Sequence, residues 1–251
     1  MLLFKIALAP VLIYAVTLAG RRWGPSVAGW LLGLPLTSFP VLLFLSLEQG
    51  TQFASHAARG SLLGLLAWAT FNIVYAYACL KLNWWQSTLI GWAAYFAVAA
   101  ALLPVSITAI WAFVAAILTL AVILIAFPRV RHSQTSSTLG KYDMWVRMAS
   151  ASAMVFLITS IAEALGPTAS GLFTTFPTYS TILAVFSHRE EEAAAVNILK
   201  GVTAGLYTSA TFFLAVCIGL LHWHPALSFT VALSSAAPVQ AASLVYLRRS
   251  G

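Results

Sequence analysis

Two stretches of this sequence combine proline with clustered hydroxyl side chains in otherwise apolar surroundings. The first contains Pro35, Thr37 and Ser38, and the second contains Thr175, Pro177, Thr178, Tyr179 and Ser180. A proline removes a backbone donor from a helix and obstructs the carbonyl one turn earlier, so the helix can open there. Within a membrane, the exposed backbone must then line a cavity or be covered by protein. Hydroxyls and helix-end dipoles at two such openings predict a substrate-binding site.

The alternative for each stretch is a simple kink, in which serine and threonine bond back to their own helix. The occurrence of the same pattern twice favours a binding site. Because the second stretch carries more hydroxyls, it is the stronger candidate for substrate contact.

Four charged residues near these stretches are candidates for coupling or for attracting a substrate. Glu48 and Glu190 end the two stretches, where a carboxylate could carry a proton or bind a cation. Alternatively they are solvated loop charges, since three consecutive glutamates follow Arg189. Lys5 and Arg147 lie early in apolar segments. They either attract anions to opposite mouths of one pathway or extend their charges to the membrane surface.

The sequence carries no signature of an enzyme, a metal site or a cofactor site. It has no HExxH motif, P-loop or GxSxG elbow. His222 and His224 flank Trp223 but have no third ligand in reach, so we predict an interfacial position for them. Cys79 and Cys217 lie in apolar runs and are predicted to be packing residues. We therefore expect no catalytic residue, metal or cofactor.

The composition indicates that lipid surrounds the elements that carry these residues. Of the 251 residues, 61% are hydrophobic and 8% are charged, whereas soluble domains are about 25% charged. The net charge of +7 does not indicate a nucleic-acid partner, because the basic residues lie in short segments between long apolar runs. The chain is predicted to be an all-α, polytopic membrane protein.

Nine apolar runs approach the roughly 20 residues that a spanning helix needs. The predicted spans are 2–19, 25–47, 58–80, 84–103, 105–127, 145–164, 167–187, 196–221 and 224–247. They place Lys5 and Arg59 on one side of the membrane and the other eleven basic residues on the opposite side. Because Lys and Arg are in excess on the cytoplasmic side, the N-terminus is predicted outside and the C-terminus inside.

The two proline-containing stretches belong to an internal repeat at an offset of 142 residues. Gly24–Glu48 matches Gly166–Glu190 in glycine, proline and charge, and after a one-residue gap Arg59-Gly60 matches Lys200-Gly201. The glycine pairs at spacing four that begin at Gly60 and Gly201 are predicted to allow close helix packing.

Matched spans are five crossings apart, an odd number, so the two repeats are predicted to be inverted relative to each other. The plan is 4 + 1 + 4: the first repeat covers 1–104, a linker helix and basic cytoplasmic loop cover 105–144, and the second repeat covers 145–251. Inverted repeats of this kind are typical of secondary transporters.

Each half resembles the GlpM family of small, roughly four-helix bacterial membrane proteins. The resemblance rests on the strings AGWLLGLPLTSFP from Ala28 and SGLFTTFPTYSTI from Ser170, and on the early basic residues Lys5 and Arg147. This chain departs from the family by carrying two copies and a linker helix. The resemblance implies a location in the bacterial inner membrane and an association with polysaccharide production, without supplying a substrate.

The leading hypothesis is a small secondary transporter or flippase with a pathway between the second and seventh spans. The rival is a membrane scaffold or regulatory subunit of an envelope assembly. The expected partners are membrane lipid and a small-molecule or lipid-linked substrate, with no nucleic acid; a homo-oligomer is left open.

Overall fold

The computed structural model describes residues 2–130, 143–162 and 175–250, and over these residues the chain forms ten α-helices and no β-strand. The helices are α1 Leu2–Trp23, α2 Pro25–Leu32, α3 Ser38–Glu48, α4 Thr51–Ala78, α5 Trp84–Leu102, α6 Ala109–Ala126, α7 Asp143–Ala162, α8 Thr178–Glu190, α9 Glu192–His222 and α10 Pro225–Ser250. The predicted all-α fold is confirmed.

Within the described part of the chain, four helices are long and apolar enough to cross a membrane. They are α4, α6, α9 and the segment Pro225–Leu247 of α10. The mean hydropathy of α6 reaches 2.8, and its side chains Trp111, Val122 and Ile125 are exposed. An exposed surface this apolar is stable only against lipid or another apolar partner. The protein is therefore a helical membrane protein. Each of the nine predicted spans overlaps a helix, but nine crossings stay a prediction.

The two longest helices, α4 and α9, pack against each other at the centre of the bundle. Ser55 Oγ donates to the carbonyl of Cys217 at 2.7 Å, and Asn72 Nδ2 donates to Thr203 Oγ1 at 3.1 Å. Residue numbers rise along α4 where they fall along α9, so the two helices run antiparallel. All four of these residues are buried.

The other helices surround this central pair. Helix α6 contacts both α4 and α9, while α5 packs on α4 and α10 packs on α9. On the remaining side, α1 packs against α7 and α2. In addition, α5 packs on α8 and α10 packs on α3.

Four glycines let α2 lie directly on the backbone of α9, and we call Gly29, Gly33, Gly201 and Gly205 the glycine contact. A Cβ on Gly29 would stand 1.9 Å from the carbonyl oxygen of Ile198. Gly33 would meet the Cα of Gly205 at 2.3 Å. Such close approach requires residues without side chains. The predicted packing role of Gly201 and Gly205 is thus confirmed.

The start of α2 follows from two adjacent residues. Gly24 has a φ of 94°, which a residue with a side chain rarely adopts, and Pro25 occupies the first turn of α2. The chain therefore turns sharply after α1 and re-enters the bundle along α9.

Candidate functional site

The second predicted span is interrupted at Pro35. Helix α2 ends at Leu32 and α3 begins at Ser38, so the five residues between them are not helical. Within the interruption, the Leu36 N–H donates to the Leu34 carbonyl at 2.8 Å. The Phe39 N–H then donates to the Pro35 carbonyl at 2.8 Å and starts the next helix. The predicted opening of this helix at its proline is confirmed.

In the seventh predicted span a helix begins directly after Pro177. Helix α8 begins at Thr178, whose N–H donates to the Phe176 carbonyl at 2.7 Å. The Thr181 N–H donates to the Pro177 carbonyl at 2.8 Å and closes the first turn. The earlier part of this predicted span, 167–174, lies outside the described residues.

The first interruption is covered by α9. Ser209 Oγ donates to the Gly33 carbonyl at 2.6 Å and satisfies a backbone acceptor that the break releases from α2. Pro35 and Ser38 are buried, and Thr37 is partly buried. These three candidate residues therefore lie at one place inside the protein.

The start of α8 is covered by α4 and α5. Trp68 Nε1 donates to Ser180 Oγ at 3.0 Å, and Trp92 Nε1 donates to Thr181 Oγ1 at 3.2 Å. A further side-chain hydrogen bond joins Tyr95 to Thr175. The hydroxyls of the second stretch thus face the first half of the chain.

One candidate hydroxyl has no hydrogen-bond partner among the described residues. The hydroxyl of Tyr179 is buried and makes no such bond, and the same holds for the side-chain nitrogen of Asn197. Buried polar groups are normally hydrogen-bonded, because an unmet donor or acceptor costs free energy. Tyr179 is therefore the candidate side chain most ready to bond a ligand.

The structure brings together two of the four charged candidates. Arg147 Nη2 donates to Glu190 Oε1 at 2.9 Å, with 4% of the arginine side chain and 33% of the glutamate side chain exposed. The guanidinium also lies 4.6 Å from the ring centroid of Phe186. Arg147 is thus buried between α7 and α8 and does not extend to the surface. Glu48 is exposed at the end of α3, and the side chain of Lys5 in α1 lies outside the described part of the structure.

Known proteins give no independent guide to this site. No family model, curated protein or solved structure matches the chain. The GlpM-like resemblance therefore stays an expectation.

Two residues that hydrogen-bond the α2–α3 break and the start of α8 were not predicted from the sequence. Trp68 in α4 bonds α8, and Ser209 in α9 bonds the α2–α3 break. Trp68 follows Gly64 by four residues and Ser209 follows Gly205 by four residues, and the two glycines are matched in the sequence alignment. Extending the repeat alignment by one helical turn would have paired them.

We expect the Trp68–Ser180 hydrogen bond to contribute measurably to stability. Trp68→Phe and Ser180→Ala should each destabilise the protein, and a double-mutant cycle should give a coupling energy of about 1 kcal/mol. Unfolding in detergent, titrated with denaturing surfactant, provides the free energies. Trp30 serves as the matched control because its Nε1 donates to Ser243 instead. A cycle of Trp30→Phe with Ser180→Ala should show no coupling, and equal coupling in both cycles would refute the assignment.

Proposed function

We propose that the protein is a small secondary transporter or flippase whose pathway runs between the two interrupted helices. One observation carries the proposal. The break after α2 accepts a hydrogen bond at the Gly33 carbonyl from Ser209 in α9, and Ser180 in α8 accepts one from Trp68 in α4. Trp68 and Ser209 are matched in sequence, so in the proposed repeat the same position of each long helix bonds the proline-containing segment of the other half.

The helix directions support an inverted 4 + 1 + 4 repeat. The matched helices α4 and α9 are antiparallel, as repeats of opposite orientation require. The contact of α5 with α8 has its counterpart in that of α10 with α3, and the matched helices α1 and α7 pack on each other. In this arrangement nine helical spans cross the bacterial inner membrane, with the N-terminus outside.

The interrupted helices supply a place for a substrate. Helices α2 and α8 are in contact, and in this proposal the break at Pro35 and the start of α8 after Pro177 face each other. Hydroxyls at Ser38, Thr178 and Tyr179 would bind the substrate when the breaks separate. Rocking of one repeat against the other would expose them to each side in turn. The Arg147–Glu190 ion pair would join α7 to α8 at one end of the route.

One observation favours the alternative of a scaffold or regulatory subunit. The hydroxyls of Ser180 and Thr181 already accept hydrogen bonds from tryptophans of the protein. In a scaffold these bonds persist and the breaks stay closed. A stoichiometric partner that copurifies with the protein would accompany that outcome.

Accessibility of the breaks separates the two functions without knowledge of the substrate. In a chain with Cys79→Ala and Cys217→Ala, single cysteines at Thr37 and Ser180 are treated with a membrane-impermeant thiol reagent from each side of oriented vesicles. A transporter should show reaction from both sides. Ala67→Cys is the control, because Ala67 is fully buried in α4. If both test positions were as fully protected from the reagent as Ala67→Cys, the pathway would be rejected.

Two further measurements complete the test. Reporter tags at Gly24 and Gly166 should lie on opposite sides of the membrane, and tags on the same side would exclude inverted repeats. Pro35→Ala and Pro177→Ala should each reduce the reactivity of the test cysteines, because a continuous helix cannot open at these points.

A further inference from the structure

A cleft of about 360 Å³ lies between the α4–α5 loop and the turn that joins α8 to α9. Its lining residues come from these two connections: Leu80, Lys81, Leu82, Asn83, Trp84, His188 and Glu192. Under the predicted orientation, both connections face the cytoplasm. The cleft therefore gives cytoplasmic water access to the end of α8.

His188 bridges the two connections. Its Nδ1 lies 3.3 Å from the hydroxyl oxygen of Tyr75, and the two rings meet edge to face with centroids 5.9 Å apart. The imidazole also hydrogen-bonds the backbone of Cys79 and Leu82. The Tyr75 hydroxyl has a second partner in Thr88.

These contacts satisfy the imidazole in either protonation state. When His188 is neutral, Tyr75 donates to Nδ1 and the other ring nitrogen donates to the loop backbone. When a proton is added at Nδ1, the N–H donates to the Tyr75 oxygen, and the tyrosine hydrogen turns to Thr88. Thr88 can accept it because its own hydroxyl donates to the Trp84 carbonyl at 2.7 Å.

The surrounding charges make the proton on His188 sensitive to the position of α9. Burial lowers the pKa of His188 from its ordinary value, and the carboxylate of Glu192 opposes this by raising the pKa. Among the described residues, the titratable or charged side chains beside His188 are Tyr75 and Cys79 from α4, Lys81 from the α4–α5 loop and Glu192 from α9. Arg189 and Glu190 follow it in α8, and Glu190 is paired with Arg147 of α7. Glu192 supplies the nearby negative charge and belongs to a different helix from His188.

The connection between α8 and α9 is short enough to transmit motion. Helix α8 ends at Glu190 and α9 begins at Glu192, with a single extended residue, Glu191, between them (φ −160°, ψ 127°). A rotation of α9 at this residue would change the separation of Glu192 from His188. Proton affinity at His188 then changes with helix position.

We propose that His188 and Glu192 form a proton-binding site at the cytoplasmic end of α8, and that protonation of His188 is coupled to movement of α9. The inference rests on the transporter function proposed above and identifies its coupling ion as the proton. Glu190 is a weaker carrier because it is engaged with Arg147. Movement of α9 that withdraws Glu192 would release the proton to the cleft.

Titration of the histidine side chains tests the site itself. The five histidines of the full chain are labelled with ¹⁵N, and His188→Gln assigns the resonance of His188 in detergent micelles. We expect a midpoint below 6.5, the ordinary value, and a lower midpoint in Glu192→Gln. Glu48→Gln, at the end of α3, is the control and should leave the midpoint unchanged. A His188 midpoint that is the same in wild type and Glu192→Gln would overturn the site.

A second measurement tests the coupling. The thiol reactivity of Thr37→Cys is measured between about pH 5 and 8. It is divided by the reactivity of Gln52→Cys, an exposed position, which removes the pH dependence of the thiol itself. We expect the ratio to change with pH in the otherwise unaltered chain and to stay constant with His188→Gln. A ratio that changes equally in both would overturn the coupling. Full protection of Thr37→Cys at every pH would overturn both transport and coupling, whereas the ¹⁵N titration reports on the proton site alone.

Discussion

Gly201→Ala should strongly destabilise the protein, because its new methyl group would collide with backbone. The added Cβ would stand 2.0 Å from the carbonyl oxygen of Ser26 and 3.0 Å from the amide nitrogen of Trp30. Neither atom can rotate away, so α2 and α9 must separate. Overpacking typically costs about 1–3 kcal/mol. We expect about 3 kcal/mol or more here, because both sides of the contact are main chain.

The same helix offers a matched control. A Cβ on Gly219 would meet the Cβ, Oγ and Cα of Ser228 at 3.0, 3.1 and 3.3 Å, a tight contact but without the 2.0 Å collision found at Gly201. Replacement of a helical glycine by alanine also gains up to about 1 kcal/mol of helix propensity. Gly219→Ala should therefore cost clearly less stability than Gly201→Ala. The free energies come from surfactant-induced unfolding in detergent micelles, and equal stability of the two variants would contradict a direct backbone contact between α2 and α9.

The glycine contact shows which part of the helix packing can be predicted from the sequence and which part cannot. The spacing of four between Gly201 and Gly205 predicts one small-residue face on a helix, and that face exists. The partner helix could not be predicted, because spacing along one helix says nothing about which other helix lies on it. In the structure the partner is α2, whose Gly29 and Gly33 have the same spacing. Gly29 and Gly33 lie in the same predicted span as Pro35.

The break at Pro35 and the helix start after Pro177 were predictable because proline acts locally, within a single turn. What covers these two places was not, because Ser209 and Trp68 are far from their partners in sequence. Gly33 and Ser209 are 176 residues apart, and Trp68 and Ser180 are 112 apart. Such pairings depend on the packing of α4 against α9. A repeat alignment identifies equivalent positions in the two halves but does not identify contacts between them.

The two proline-containing stretches match in sequence but differ in the chemistry beside them. Phe39 and Thr181 occupy matched positions in the repeat. Phe39 packs edge to face on Phe212 and Phe229, with centroids 6.3 and 5.6 Å away. Thr181 instead accepts a hydrogen bond from Trp92. The first stretch is therefore aromatic at a position where the second is polar, in keeping with the proposal that the second stretch is the principal substrate contact.

Glu190→Gln should destabilise the protein by leaving the guanidinium of Arg147 buried without its carboxylate. Removal of one partner of a fully buried ion pair costs about 3–5 kcal/mol. Because 33% of the Glu190 side chain is exposed, water screens part of the loss, and we expect about 2 kcal/mol. The matched control is Glu48→Gln, at the equivalent repeat position but exposed, which should change stability by less than about 0.5 kcal/mol.

A second substitution separates loss of the ion pair from loss of packing. Replacing both partners, with Arg147→Met and Glu190→Gln, removes the buried charge while retaining an apolar side chain against Phe186. This double variant should be more stable than Glu190→Gln alone, because a buried charge that has lost its carboxylate costs more free energy than its neutral replacement. If the double variant were less stable than the single one, the contact of Arg147 with Phe186 would dominate. The ion pair would then contribute little to joining α7 and α8.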